Sequence, residues 1–346
     1  MTLSTRARLL AGGLLAVLAL VACTSGGAAE RSLPPGVSPS GASLPPPPPI
    51  CPLTGLTPRG NKVPNRPALA VKVENIPVAR PQTGLSFADI IYEEPVEGGI
   101  TRFIVVYQCR DASRIEPIRS GRLTDPDILV QFGHPIFAYS GAVAQVFAKV
   151  RRAGLIDVNA TVAKAVSSYH RDPNRPAPHN VYSSTKELYR AAGVSEEPPN
   201  PVFTYSSDSP RGRRIRSIHL PFSGVSDVFW KWSATKKVYL RFHGTVPHTY
   251  SDGTQVNAVN VVVQVSKIII TNIRDVAGNA SPEVVTTGEG KAYILRGGRM
   301  IVGTWKRPSL KDVTKYYDAQ GNEVSLVPGN TWVELFPTTL TVTTRK

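Results

Sequence analysis

Cysteine is scarce in this sequence. Three occur in 346 residues. None stands in a Cys-x-x-Cys or Cys/His arrangement, so no ligand set for zinc is legible and no metal or cofactor is expected. Acidic residues are short too: 25 against 40 lysines and arginines, a formal net charge of +15. Apolar runs are short. Leu9–Leu20 stands out but is too brief for a comfortable membrane span. A Gly-x-Ser-x-Gly nucleophile elbow is missing, as are the Ser-Asp-Asn and Lys-Thr-Gly elements that accompany a catalytic Ser-x-x-Lys. The positive charge comes with no nucleic-acid-binding motif, so nucleic acid is not an expected partner.

What is present begins with an export signal. Arg6 and Arg8 precede the apolar run, which ends in Leu20-Val21-Ala22-Cys23, a lipobox pattern. Residues 1–22 are expected to be a signal peptide, cut before Cys23. The Cys23 thiol would carry diacylglycerol, with palmitate-type acyl chains. Two chains anchor stably where one is marginal, so the bilayer is the first expected partner. The protein would sit on the outer face of the cell membrane. Residues 23–50 are rich in Pro, Gly and Ser and end in Pro45–Pro49, a composition that cannot bury a core and reads as a disordered tether. Cys51 and Cys109 remain. An even pair in an exported chain points to a disulfide, with two unrelated reduced thiols as the alternative.

The remainder divides by pattern. Residues 51–195 mix strands and helices: Leu69–Val73, Ala88–Glu93, Ile100–Gln108 and Ile136–Tyr139 read as strands. Helices are expected after Thr124 or Asp125 as cap, over Ala142–Ala153, and from Ser184 to Ala192 before Gly193. Ser184 with Glu187 forms a capping box. Residues 196–216 read as a polar, basic linker. Residues 217–346 are nearly all strand and turn, with Gly297-Gly298 as a hairpin signal. The fold class is α+β: a mixed α/β N-terminal domain followed by a β-dominated C-terminal domain.

The order of motifs resembles the YerB-like bacterial lipoproteins, a two-domain family of unknown function, the domain-of-unknown-function 3048 type. The resemblance rests on Ala79-Arg80-Pro81-Gln82-Thr83-Gly84-Leu85, Ala88-Asp89-Ile90-Ile91-Tyr92-Glu93, Glu97-Gly98-Gly99-Ile100-Thr101-Arg102-Phe103, Pro117-Ile118-Arg119-Ser120-Gly121-Arg122 and Pro178-His179-Asn180. In the second half it rests on Asn260–Gln264, Gly303-Thr304-Trp305 and Pro328–Glu334. It implies architecture and localisation and brings no catalytic assignment.

Charge concentrates around the turn Glu93-Glu94-Pro95-Val96-Glu97-Gly98-Gly99 and the arginines Arg102, Arg119 and Arg122. Mutual ion pairing is one reading. The other is a site. Arg119 and Arg122 flank Ser120-Gly121 just before a helix, donors that suit a phosphate or carboxylate. The expected ligand-binding residues are Arg119, Ser120, Arg122, Arg102 and Asn180. Of these, Arg122 is expected to be free for ligand, and Arg102, beside a buried strand, to support the fold. Catalytic candidates are Glu97 or Glu94 with His179, which could serve an envelope glycan or ester hydrolase. His243 and His248 lack a third ligand. Trp230, Trp232, Trp305 and Trp332 fit strand cores or, alternatively, a sugar-stacking platform. The preferred function is a lipid-anchored binding or scaffold protein for an anionic wall polymer or a membrane-bound wall-synthesis protein. The hydrolase is the alternative.

Overall fold

A strand buried on both faces can settle only between two covering layers. In the computed structural model, which describes residues 48–195, 197–208, 211–275 and 277–346, three such strands form the centre. Strand β1 (Leu69–Glu74), β2 (Ile90–Pro95) and β3 (Thr101–Tyr107) are buried almost residue for residue. They pair antiparallel in the order β2-β3-β1. Strands β4 (Ile136–Ala138) and β5 (Ile156–Asp157) continue the sheet, parallel to β1. Cys23 and most of the expected tether lie outside the described residues.

The sheet does not stop at β2. Thr331–Pro337, near the far end of the chain, lies parallel to β2 in the register Ile90↔Thr331 to Glu93↔Glu334. Asn260–Ser266 pairs parallel on its other side. Gly288–Arg296, Arg299–Arg307 and Lys315–Tyr317 follow antiparallel. The result is one eleven-stranded mixed sheet drawn from both halves of the chain. Among the described residues the first half has three α-helices: α1 (Thr124–Leu129), α2 (Ala144–Arg152) and α3 (Thr185–Ala192). From Arg213 onward every described element is a strand, so the expected shift from mixed to β-dominated structure is observed.

Each face of the sheet carries its own apolar core. On one face Val71, Val73, Phe103 and Val105 meet Trp230, Tyr239 and Ile218 of a second, six-stranded sheet. On the other, Ala70, Ile104 and Val106 meet Ile128 and Leu129 of α1 and Val146 and Val150 of α2. The segment expected to be a solvated linker is partly built in. Val202, Phe203 and Ile215 are buried, and Arg213–Arg214 pairs with Arg299–Met300. Burying those apolar residues outweighs the polar character that made the segment look like a joint.

The caps follow the sequence in part. Ser184 Oγ accepts from the Glu187 N–H at 3.2 Å, and Gly193 ends α3 in the left-handed region. Thr124 does not cap α1. Its hydroxyl accepts instead from Val284 N at 3.0 Å, tying the helix to the second half. Cys51 and Cys109 form a disulfide, which closes a separation of 58 residues.

Candidate functional site

Successive residues of a strand point to opposite faces, so the neighbours Glu93 and Glu94 cannot act together. The structure separates them. Glu93 faces the second sheet, where the Arg241 guanidinium pairs with it. Glu94 faces α1 and pairs with Lys72, which also donates to Asp125 at 2.6 Å. Burial raises the Glu94 carboxyl well above the usual carboxylate range, with Lys72 opposing. Asp89 is occupied as well. Its carboxylate accepts from the backbone N–H groups of Gln108 and Cys109 at 2.6 and 3.1 Å. Burial pushes it up to about 6 against those bonds and Arg110.

The cluster around Arg241 is a largely buried knot, in which Arg241 Nε and His243 Nδ1 have no partner. Arg241 is 0% exposed. Its Cζ lies 5.4, 5.9 and 5.3 Å from the ring centres of Phe103, Trp230 and Trp332. It donates to His243 Nε2 at 2.7 Å and His248 Nδ1 at 2.6 Å. Both histidines are therefore acceptors. Burial first, then the Arg241 charge, holds them far below their usual range and neutral. Trp230 Nε1 donates to Glu334, whose carboxyl is raised by burial and by Glu93 beside it. The tryptophans Trp230, Trp305 and Trp332 are buried in strand cores. As buried side chains they offer no stacking platform.

The other face opens. Residues 119–121 thread between the end of β1 and the loop after β4. Arg119 N donates to Lys72 O at 2.9 Å, Ser140 N to Arg119 O at 3.0 Å, and Gly121 N to Gly141 O at 3.0 Å. That backbone forms one wall of a cleft of about 360 Å³. Arg102, Arg119, Ser120, Arg122 and Glu97 line it, with Ser281 contributed by the second half. Glu97 is matched: Arg122 Nε donates to it at 2.7 Å and the Ser281 hydroxyl donates to its other oxygen. Burial works to raise Glu97, but Arg122 and Ser281 outweigh it and hold the carboxylate below its ordinary value. Arg119 Nε donates to Glu74 at 2.9 Å, and Glu74 also receives His179 Nδ1 at 2.8 Å.

Arg102 is the exception. In register it lies opposite Glu74 on β1 and Glu94 on β2. Glu74 is taken by Arg119 and His179, and Glu94 by Lys72. Arg102 is 6% exposed, donates through one terminal nitrogen to Ser120 O at 3.0 Å, and leaves Nε unpartnered. Among the described residues it has no carboxylate partner. Burial, then the charges of Arg122 and Arg119, pull its guanidinium down to about 9. It stays charged at neutral pH.

The sequence-expected residues are thus distributed. Arg102, Arg119, Ser120, Arg122 and Glu97 share one cleft. Arg122, expected to be free, pairs with Glu97, while the acids in register with Arg102 pair with other cations. His179 is behind the cleft wall on Glu74, not beside Glu97. Asn180 lies deeper, its side-chain amide donating to Asp172 O at 3.1 Å and its oxygen accepting from Arg171 at 2.9 Å. Lys72, Glu74, Asp125, Ser281 and Arg241 were not singled out in the sequence. A signal existed for some: Lys72 and Glu74 alternate along β1, and Tyr239, Arg241 and His243 alternate along an apolar strand.

Comparison with known proteins agrees with this architecture. Residues 53–197 match the N-terminal domain, and residues 218–333 the C-terminal domain, of the protein of unknown function DUF3048. A protein of Bacillus subtilis (strain 168) named as a lipoprotein, YerB, is 27% identical over 296 residues, covering 83% of this chain and 86% of its own. The crystal structure of the YerB protein from Bacillus subtilis superposes with a TM-score of 0.73 at 24% identity, covering 86% of this chain and 99% of that one. The chain belongs to the DUF3048 family.

Proposed function

We propose that this protein is an exported, lipid-anchored binding protein whose arginine cleft receives an anionic group. The carrying observation is Arg102: a buried guanidinium, facing a cleft, with an orphaned Nε and no carboxylate partner among the described residues. A buried charge without a partner is expensive. An anion in the cleft would supply the partner and relieve the repulsion from Arg119 and Arg122. The anchor is supported by the Leu20-Val21-Ala22-Cys23 pattern and by the lipoprotein name of the Bacillus relative. On this reading the protein stands at the outer face of the membrane. The geometry does not favour a hydrolase: Glu94 is sealed against Lys72, Glu97 is neutralised by Arg122, and His179 faces Glu74.

Titration calorimetry with inorganic phosphate tests the cleft. A charge-assisted hydrogen bond contributes about 1.5–3 kcal/mol, so Arg102→Gln should weaken binding at least about tenfold with the fold retained. Wild-type affinity in that variant overturns the reading. The anchor is tested separately: Cys23→Ala should move the protein out of the membrane fraction or leave the signal uncut. Normal membrane retention and normal processing of that variant would refute lipidation.

A further inference from the structure

We infer that the ligand carries at least two anionic groups along one chain, as a linear phosphodiester polymer does, and that it spans two adjoining clefts. This rests on the anion reading of the Arg102 cleft and extends it. A second cleft, also of about 360 Å³, lies on the far side of the Arg119–Ser120 segment, and both residues line both clefts. The second is walled by Ser140, Tyr169, His170, Arg171 and Pro178. It has its own unmatched cation. Arg171 is exposed, and its side-chain contact is the neutral amide oxygen of Asn180 at 2.9 Å. Neither Arg171 nor Arg102 has a carboxylate within ion-pair distance among the described residues.

Between them stands Arg119. Its Nε is held by Glu74, and its terminal nitrogens have no hydrogen-bond acceptor among the described residues. The order is therefore an unmatched arginine, a tethered arginine with spare donors, and another unmatched arginine. One small anion would satisfy one end and leave the other cleft empty. A chain with regularly repeated phosphates would satisfy both ends, with Arg119 at the crossing. Asn180 acquires a reason on this arrangement: its amide, fixed by Asp172 O, holds Arg171 towards the second cleft. Of the neighbouring carboxylates, Glu187 takes His170, Asp172 takes Arg114, and Asp275, which also lines the first cleft, accepts from the Ala277 and Asn279 N–H groups of its own turn.

The test compares inorganic phosphate, poly(glycerol phosphate) and phosphatidylglycerol vesicles as probes of wild type, Arg171→Ala and Arg102→Gln. Arg171→Ala should leave phosphate affinity unchanged and lower poly(glycerol phosphate) affinity at least tenfold. Arg102→Gln should lower both. The wild type should bind the polymer more tightly per phosphate, with a steeper salt dependence than for phosphate. If Arg171→Ala binds the polymer as wild type does while Arg102→Gln fails, the single-cleft reading stands and the two-cleft inference falls. If Arg102→Gln binds phosphate normally, the underlying anion reading falls with it. Binding to vesicles with none to the soluble polymer also overturns the inference, because it assigns the cleft to a headgroup.

Discussion

Arg241 and Arg102 are both buried; Arg241 packs against one face of the central sheet, and Arg102 projects from the other. Around Arg241 the charge is met by the fold, although its Nε, like that of Arg102, has no hydrogen-bond partner. Glu93 balances its charge, two neutral imidazoles accept its protons, and three aromatic rings enclose it. Around Arg102 the same residue types are present, yet the acids in register with it are claimed by other cations. Arg241 and Glu93 are fully buried, whereas the Arg102 side opens into a cleft shared by both halves of the chain. Dense charge in the sequence therefore marks two different things here. A closed set of ion pairs specifies how the halves meet. An incomplete set, open to water, is where we propose that a ligand binds.

The largest expected effect breaks the closed member. Arg241→Ala would leave Glu93 buried and uncompensated, next to Glu334, and removal of one partner of a buried pair typically destabilises by about 3–5 kcal/mol. Arg241→Lys should restore little of this, because an ammonium cannot reproduce the planar fork that serves Glu93 and both imidazoles. Denaturant melts measure it. A loss under about 1 kcal/mol would mean the knot does not hold the halves together.

A smaller effect is expected from acid. His243 and His248 are kept neutral in the fold, while in the unfolded chain they protonate near pH 6.5. Below that pH the unfolded state binds more protons, so stability falls as pH falls. By pH 5 each histidine should contribute a loss of about 2 kcal/mol. Asp89 acts with the opposite sign. Its carboxyl is raised from 3.8 to about 6, so its contribution declines as pH rises through that window. The clean readout is the difference between wild type and His243→Gln in melts at pH 7 and pH 5. Equal pH dependence in the two would show that His243 is not held neutral by the knot.

Much of this was legible in the sequence. The strands β1 to β3, the helix with the Ser184–Glu187 cap and the Gly297-Gly298 hairpin follow from local patterns that the packing obeys, and the Cys51–Cys109 bond from an even pair of cysteines in a chain read as exported. The sharing of one sheet by both halves was not legible. The pairing of β2 with Thr331–Pro337 joins residues far apart in sequence, and no local pattern encodes a partner. The Arg119–Arg122 region was recognisable as charged, but which arginine stays unmatched depends on which acid reaches which cation. Lys72 wins Glu94 because both are buried against α1, and only the packed structure sets that competition. The separation of Glu93 from Glu94 was available from strand alternation alone and argues against reading them as a catalytic pair.

The smallest effect sharpens the comparison most. Arg102→Gln removes a charge that burial and two neighbouring arginines already disfavour. Glutamine keeps an N–H donor for Ser120 O, so the hydrogen bond, a contribution of about 1 kcal/mol, is partly retained. The relief of repulsion offsets the remainder. The expected change in unfolding free energy is therefore within about 1 kcal/mol of zero, against the several expected for Arg241→Ala. Added phosphate separates the two roles further. A ligand that binds only the folded state raises stability by RT ln(1 + L/Kd), with L its free concentration. Saturating phosphate should thus raise the melting temperature of wild type and of Arg241→Lys, where that variant folds, but not of Arg102→Gln. If Arg102→Gln instead loses as much stability as Arg241→Ala, the open cluster is a second structural knot. The cleft would then hold nothing but water.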